Sequence, residues 1–244
     1  VTLPILYQDE RIIVINKPAG MLVHRSWLDK HETTFVMQTL RDQINQHVYP
    51  VHRLDRPTSG VLVFALDSEM ARLLTEQFEH HHVQKVYLAV VRGIIGSGRI
   101  DYAYKPRLDK IADKFTSPDK VLESAITDYQ NLATTEQPFV SCRRFETSRY
   151  SLVRLTPITG RMHQLRRHMK HVFHPIIGDT TYGDKVQNRA FTAHIGTKRL
   201  LLHAHQLTFR HPLTGESICV TAPLDDAFGQ VMRAFGWDEL ELAK

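Results

Sequence analysis

Apolar positions along this chain repeat with two different periods. "ILYQDERIIVINKPAGMLVH" (5–24) reads as three short strands separated by polar "QDE" and the turn former "KPAG". In "TTFVMQTLRDQINQHV" (33–48), Val36, Leu40 and Ile44 recur at helical spacing behind a Thr cap. "VLVFAL" (61–66) is a continuous apolar run, the pattern of a strand buried on both faces. Asp67 or Ser68 then caps a helix whose stripe is Met70, Leu73, Leu74 and Phe78. "QKVYLAVVRG" (84–93) is another strand, with Tyr87 directed away from the Val86, Leu88 and Val90 face. Residues 96–123 are polar and irregular and suit an exposed excursion. Further strands are expected near 124–134, 150–156 and 200–209, with a hairpin turn at "HPLTG". "GRMHQLRRHMKHVF" (160–173) and "DAFGQVMRAFGW" (226–237) read as helices. Meandering strands with interspersed helices predict an α+β sheet rather than a βαβ array.

Composition narrows the partners. Of 244 residues, 31 are Lys or Arg and 26 Asp or Glu, a net charge of +5. Between Thr147 and Gly215 eleven basic residues meet only two acids, Asp179 and Asp184. Clustered positive charge suits a polyanion, whose condensed counterions are released on binding. Cys142 and Cys219 match no metal or redox spacing, and no apolar run approaches the ~20 residues of a membrane span. A cytoplasmic protein with two independent thiols is expected, without membrane contact and with the monomer as the favoured state.

One stretch combines stiffness with charge. In "VHRLDRPTSG" (51–60), Asp55 lies between Arg53 and Arg56. Pro57 drives Arg56 to extended geometry, Thr58 and Ser59 can bond back to the local backbone, and Gly60 admits a cramped conformation. This is either a salt-bridged turn or a catalytic aspartate at the mouth of a basic cleft. On a helix over 161–173, Met162, Leu165, Met169 and Val172 form a stripe with Arg166 beside it. A part-buried guanidinium there requires a carboxylate or phosphate, and Asp55 is the natural partner. His163, Arg167 and Lys170 point elsewhere and suit backbone phosphates, as does Arg161. The 15 histidines invite a metal hypothesis. No HExxH or CxxC accompanies them, and GxGxxG and Walker loops are absent, so neither a metal nor a nucleotide cofactor is expected.

Five ordered blocks carry a resemblance. "ILYQDERIIVINKPAGMLVH", "HRLDRPTSG", "QKVYLAVVRG", "GRMHQLRRHMKHVFHPIIGDTTYGD" and "LLLHAHQLTFRHP" resemble the RluA-type pseudouridine synthases from residue 5 to about 212. "LVHRSWLD", "DKIADKF", "HQLRRH" and "GD..YGD..QNR" are most similar to a branch that modifies tRNA. The resemblance implies a pseudouridine synthase fold: a mixed, mostly antiparallel central sheet flanked by helices, with the active-site cleft across it. It also implies one catalytic domain over 1–244 without an N-terminal S4 RNA-binding domain, and no cofactor. The expected reaction is isomerisation of a tRNA T-stem uridine, position 65, to pseudouridine. Asp55 would be the catalytic carboxylate, Arg166 its salt-bridge partner and Tyr87 the active-site tyrosine. The arginine matching Arg53 would help fill the space left by the flipped base. Arg53, Arg56, Arg161, His163, Arg167 and Lys170 are the candidate RNA contacts. Met162 and Arg167 stand where the family often has Thr and Val. The alternatives are a family member acting on ribosomal RNA, a non-catalytic RNA-binding module and a metal-dependent nuclease.

Overall fold

Strand β4 (Ser59–Ala65) is buried along its whole length, as its unbroken apolar run requires, and the rest of the fold is arranged around it. Our computed structural model describes residues 2–24, 34–105, 121–240 and 242. Beside β4 lie β1 (Ile5–Gln8), β2 (Ile12–Lys17) and the short β3 (Tyr49–Pro50). The remaining strands are β5 (Gln84–Arg92), β6 (Gly98–Asp101), β7 (Ile126–Gln137), β8 (Ser148–Pro157), β9 (Leu202–Arg210) and β10 (Ser217–Thr221). They form one mixed sheet in the order β1-β2-β4-β9-β5-β8-β7-β6, with β3 paired to β4 and β10 to β9. Every pairing is antiparallel except β4 with β9, where Ser59 faces His203 and Gly60 faces Ala204.

Alternation along the strands sends side chains to opposite faces. On β4, Val61, Val63 and Ala65 join a cluster with Met70 and Leu74 of α2 (Ser68–Glu79). Leu62 and Phe64 join Val36 and Leu40 of α1 (Val36–Ile44) on the other side. On β5, Leu88 and Val90 pack with Phe191 of α4 (Lys185–Ile195) and Phe228 and Val231 of α5 (Asp226–Ala234). Ala89 and Val91 pack instead with Leu165 and Met169 of α3 (Gln164–His171). Tyr87 shares the Ala89 parity and packs against the clusters under both α1 and α3.

The α+β reading of the pattern holds, with local differences. Only two of the three N-terminal strands form, and "MLV" contributes an isolated bridge from Leu22 to Phe35. Asp67 caps α2 by accepting from the Met70 amide, whereas α1 begins after Phe35 with no side-chain cap. Helix α3 is shorter than the apolar stripe suggests. His163 adopts φ 56° and Met162 lies in the turn before the helix, exposed, so neither joins the buried stripe. Strand β6 lies inside the stretch expected to be irregular, and residues 106–120 of that stretch fall outside the described residues. Among the described residues no helix is long and apolar enough to cross a membrane.

Candidate active site

The turn carrying Asp55 is built between the end of β3 and the start of β4. The Thr58 amide donates to the Asp55 carbonyl at 3.0 Å and closes the turn. At Gly60, with φ 116°, a Cβ would lie 2.1 Å from the Ala204 carbonyl oxygen, so only glycine lets β4 meet β9 here. The Ser59 hydroxyl does not bond back to its own backbone as the sequence suggests. It reaches β9, 2.8 Å from His203 Nδ1, and accepts from Arg199 at 3.0 Å. His203 Nε2 lies 3.2 Å from the Ala222 carbonyl, which can only accept, so Nδ1 is the acceptor for Ser59.

Beneath the turn lies Lys17, fully buried at the end of β2. Its ammonium donates to the carbonyls of Pro18 at 2.8 Å, Arg56 at 3.1 Å and Thr58 at 2.8 Å. Burial, then Arg199, lowers its pKa to about 7, with Asp55 opposing. The three acceptors match the three donors of the ammonium and tie the Arg56–Thr58 backbone that follows Asp55 to the end of β2. The sequence reading treats "KPAG" only as punctuation and misses this role.

Arg166 reaches Asp55, but its fork does not. Nη1 lies 3.1 Å from Asp55 Oδ2, while Nε and Nη2 hold the two oxygens of Asp179 at 2.8 and 2.9 Å. The bidentate pair is Arg166–Asp179, and Asp55, the partner the sequence suggests, receives the one remaining arm. Asp179 also accepts from the Thr181 and Tyr182 amides, both at 2.9 Å. Burial works against its charge, but Arg166 and these amides outweigh it and hold the carboxyl below its ordinary range. Burial likewise disfavours the Arg166 cation, and Asp179, then Asp55, raise its pKa regardless. The Arg166 guanidinium lies 5.2 Å from the Tyr182 ring centroid. Asp179 was visible as one of two acids in a basic stretch, but apolar periodicity cannot register a residue in the loop after a helix.

These groups open on a cleft of about 560 Å³ lined by Arg53, Asp55, Lys85, Tyr87, Arg161, His163 and Arg166 among others. That volume lies within the range of small-molecule sites. His163 faces inward rather than toward outer phosphates, because its left-handed backbone turns it out of the helical path. Its Nε2 is 3.7 Å from Asp55 Oδ1, and its Nδ1 is 2.9 Å from the Tyr182 hydroxyl. Burial, reinforced by the Asp55 charge, raises the Tyr87 phenol well above its ordinary value. On the far wall His52 stacks on Phe78 at 4.4 Å and accepts from the Val63 amide, and burial lowers it to about 3.

The candidate RNA contacts divide. Arg53 is exposed on the cleft lining, and Arg161 lies there too, 3.5 Å from Glu123. Arg56 instead donates to the Gly20 carbonyl at 3.0 Å. Arg167 lies flat on Tyr104 at 3.6 Å and donates to the Lys105 carbonyl, a packed position rather than a solvated one. Lys170 is exposed on α3. Some of the clustered charge is already paired within the protein, since Arg149 lies 3.4 Å from Glu136 at the surface and Arg199 pairs with Asp225. Among the described residues no three His, Cys, Asp or Glu come together in a metal-binding group.

Comparison with known proteins agrees with this architecture. The family model described as RNA pseudouridylate synthase matches residues 11–171. The tRNA pseudouridine synthase C of Pasteurella multocida is 63% identical over 238 residues, covering 97% of this chain and 98% of its own. That of Haemophilus influenzae is 62% identical over 239 residues, covering 98% and 100%. Among solved structures, human RNA Pseudouridylate Synthase Domain Containing 4 matches with a TM-score of 0.71 at 27% identity, covering 96% of this chain and 93% of that one. A match over most of the chain, by sequence and by fold, identifies this protein as a member of the RNA pseudouridylate synthase family.

Proposed function

We propose that this protein converts a uridine in tRNA to pseudouridine, with Asp55 as the catalytic carboxylate and the T-stem uridine at position 65 as its target. The observation that carries this reading is Asp55 held at the mouth of the cleft by the Arg166–Asp179 pair and facing Tyr87. The names of the two bacterial relatives supply the tRNA branch.

The reaction detaches uracil from C1′, turns it and rejoins it through C5, so no atom is gained and no electron pair leaves the substrate. A carboxylate at the ribose face can attack C1′, add to C6 or remove the C2′ proton, and Asp55 is placed for a group of that kind. Arg166 is already tied to Asp179, so it holds Asp55 in one direction without swinging away. Tyr87 offers a ring face for the uracil and a phenol that stays protonated, because burial and the Asp55 charge oppose its ionisation. It therefore acts as a wall and a hydrogen-bond donor, and any part in C5 proton loss runs through its neutral oxygen. A paired uridine must leave its stack, which costs a few kcal/mol, and phosphate contacts from Arg53, Arg161 and Lys170, the candidates left at the surface or on the cleft lining, would offset that cost.

The test uses tRNA carrying tritium at uridine C5, which is released to water when the new C–C bond forms. Asp55→Asn should abolish tritium release while tRNA binding persists. Turnover by this variant removes Asp55 from catalysis. Release from ribosomal RNA but not tRNA moves the protein to another branch.

A further inference from the structure

The outer face of α3 carries a second arrangement, separate from the cleft. Tyr102, beyond the end of β6, is 40% exposed, and its ring stacks on His171 with centroids 3.6 Å apart and planes at 12°. Two residues on, Tyr104 is buried, and the Arg167 guanidinium covers its ring at 3.6 Å. The Tyr104 hydroxyl donates to the Met162 carbonyl at 3.4 Å. His168 ties the same segment down, with Nε2 3.2 Å from the Tyr102 carbonyl and Nδ1 2.9 Å from the Thr127 hydroxyl. The segment is thus anchored from below, while one flat aromatic pair is left at the surface. Lys105 and Lys170 are exposed beside it, and Asp101 is the neighbouring acid.

Anchored aromatic faces among cations are the chemistry of single-strand nucleic-acid grooves, where bases stack on rings and lysines follow the backbone. The position fits as well. Helix α3 follows His163 in the cleft and runs seven steps from Gln164 to His171, about 10.5 Å. That is the span of about three stacked nucleotides at about 3.4 Å each. A strand whose target uridine is turned into the cleft would present neighbouring bases here once the pairing around it opens.

We propose that Tyr102 and His171 form a stacking platform for a nucleobase of the RNA strand flanking the target uridine. This rests on the proposed function only in requiring an RNA substrate.

Binding of a synthetic T-arm stem–loop, titrated against salt, tests it. Tyr102→Ala should weaken binding about five- to hundredfold, the range for losing one stacked base, with the salt slope unchanged. Tyr102→Phe should restore it. Lys170→Ala is the contrast, because losing a phosphate contact flattens the slope. His171→Ala, at an exposed helix end, should reproduce part of the Tyr102→Ala loss without threatening the fold. The fluorescence of 2-aminopurine placed at positions flanking the target should be quenched by wild type and less by Tyr102→Ala. Affinity within twofold of wild type for both alanine variants overturns the platform, and so does a loss accompanied by a flattened slope. Tritium release by wild type on the same RNA is scored separately. Failure there refutes the proposed reaction and leaves the platform measurement standing.

Discussion

Asp179 is the residue whose removal most directly tests how the site is held. Its carboxylate receives four hydrogen bonds, two from Arg166 and two from the Thr181 and Tyr182 amides. Asp179→Ala removes all four and leaves a guanidinium that is only 5% exposed with Asp55 as its one acidic partner among the described residues. Breaking a buried ion pair in this way costs about 3–5 kcal/mol. Asp179→Asn is milder. An amide oxygen at the Oδ1 position keeps three of the bonds, but the amide nitrogen then meets Arg166 Nε, donor against donor. The loss is one charge-assisted bond, about 2–3 kcal/mol. Freed of its fork, Arg166 can turn further toward Asp55, and a misplacement near 1 Å is enough for about a hundredfold loss of rate. Urea unfolding gives the stability change, and tritium release at saturating tRNA gives the rate. Both variants should retain RNA affinity. If Asp179→Asn matches wild type in midpoint and rate, Asp179 does not orient Arg166. Arg166→Lys sharpens the comparison: an ammonium cannot span both acids with directed bonds, so it should lose rate even if it folds.

Lys17→Met keeps side-chain length but takes its donor from the Pro18 and Thr58 carbonyls and leaves the Arg56 carbonyl with only the Gly20 amide, so stability should fall by about 3 kcal/mol with a matching loss of rate. A urea midpoint equal to wild type would show that this tie is dispensable. Burial lowers His203 from the usual 6.5 to about 4. Between these values the unfolded chain takes up a proton that the folded protein refuses. Its contribution is therefore fully present above pH 6.5 and is lost as pH falls toward 4, by up to about 3 kcal/mol. His203→Gln should flatten that part of the stability profile, measured as urea midpoints between pH 7 and 4.5, and an unchanged profile would refute the assignment.

What the sequence made legible was whatever local pattern controls. An unbroken apolar run located β4, the apolar stretch at 84–93 located β5, and the stiff Asp-Arg-Pro turn singled out Asp55. Burial of Arg166 followed from its place beside the apolar stripe of α3. The partner of its fork did not, because Asp179 is brought there by a loop that no periodicity encodes. His163 was misdirected for a related reason. Helical extrapolation assumed regular geometry back to 161, whereas a left-handed residue at 163 reverses the side chain. Helix α4 was overlooked because its buried residues are only Gln187 and Phe191, although Asp184 and Gly196 mark its two ends as caps. The resemblance named Tyr87, while its orientation could be read from strand parity alone.

The seam between β4 and β9 carries a consequence for how the protein is made. Strand β9, residues 202–210, is inserted between two strands that end by residue 92, so the middle of the sheet is its late-synthesised part. Until that strand arrives, no strand pairing among the described residues joins the half bearing Asp55 to the half bearing Tyr87. Contacts this distant in sequence make for slow folding, and the apolar edges of β4 and β5 stay open to other chains meanwhile. A chain cut short before residue 202 would hold Asp55, Tyr87, Arg166 and Asp179 and still have no site, because the strand that brings its walls together would be missing.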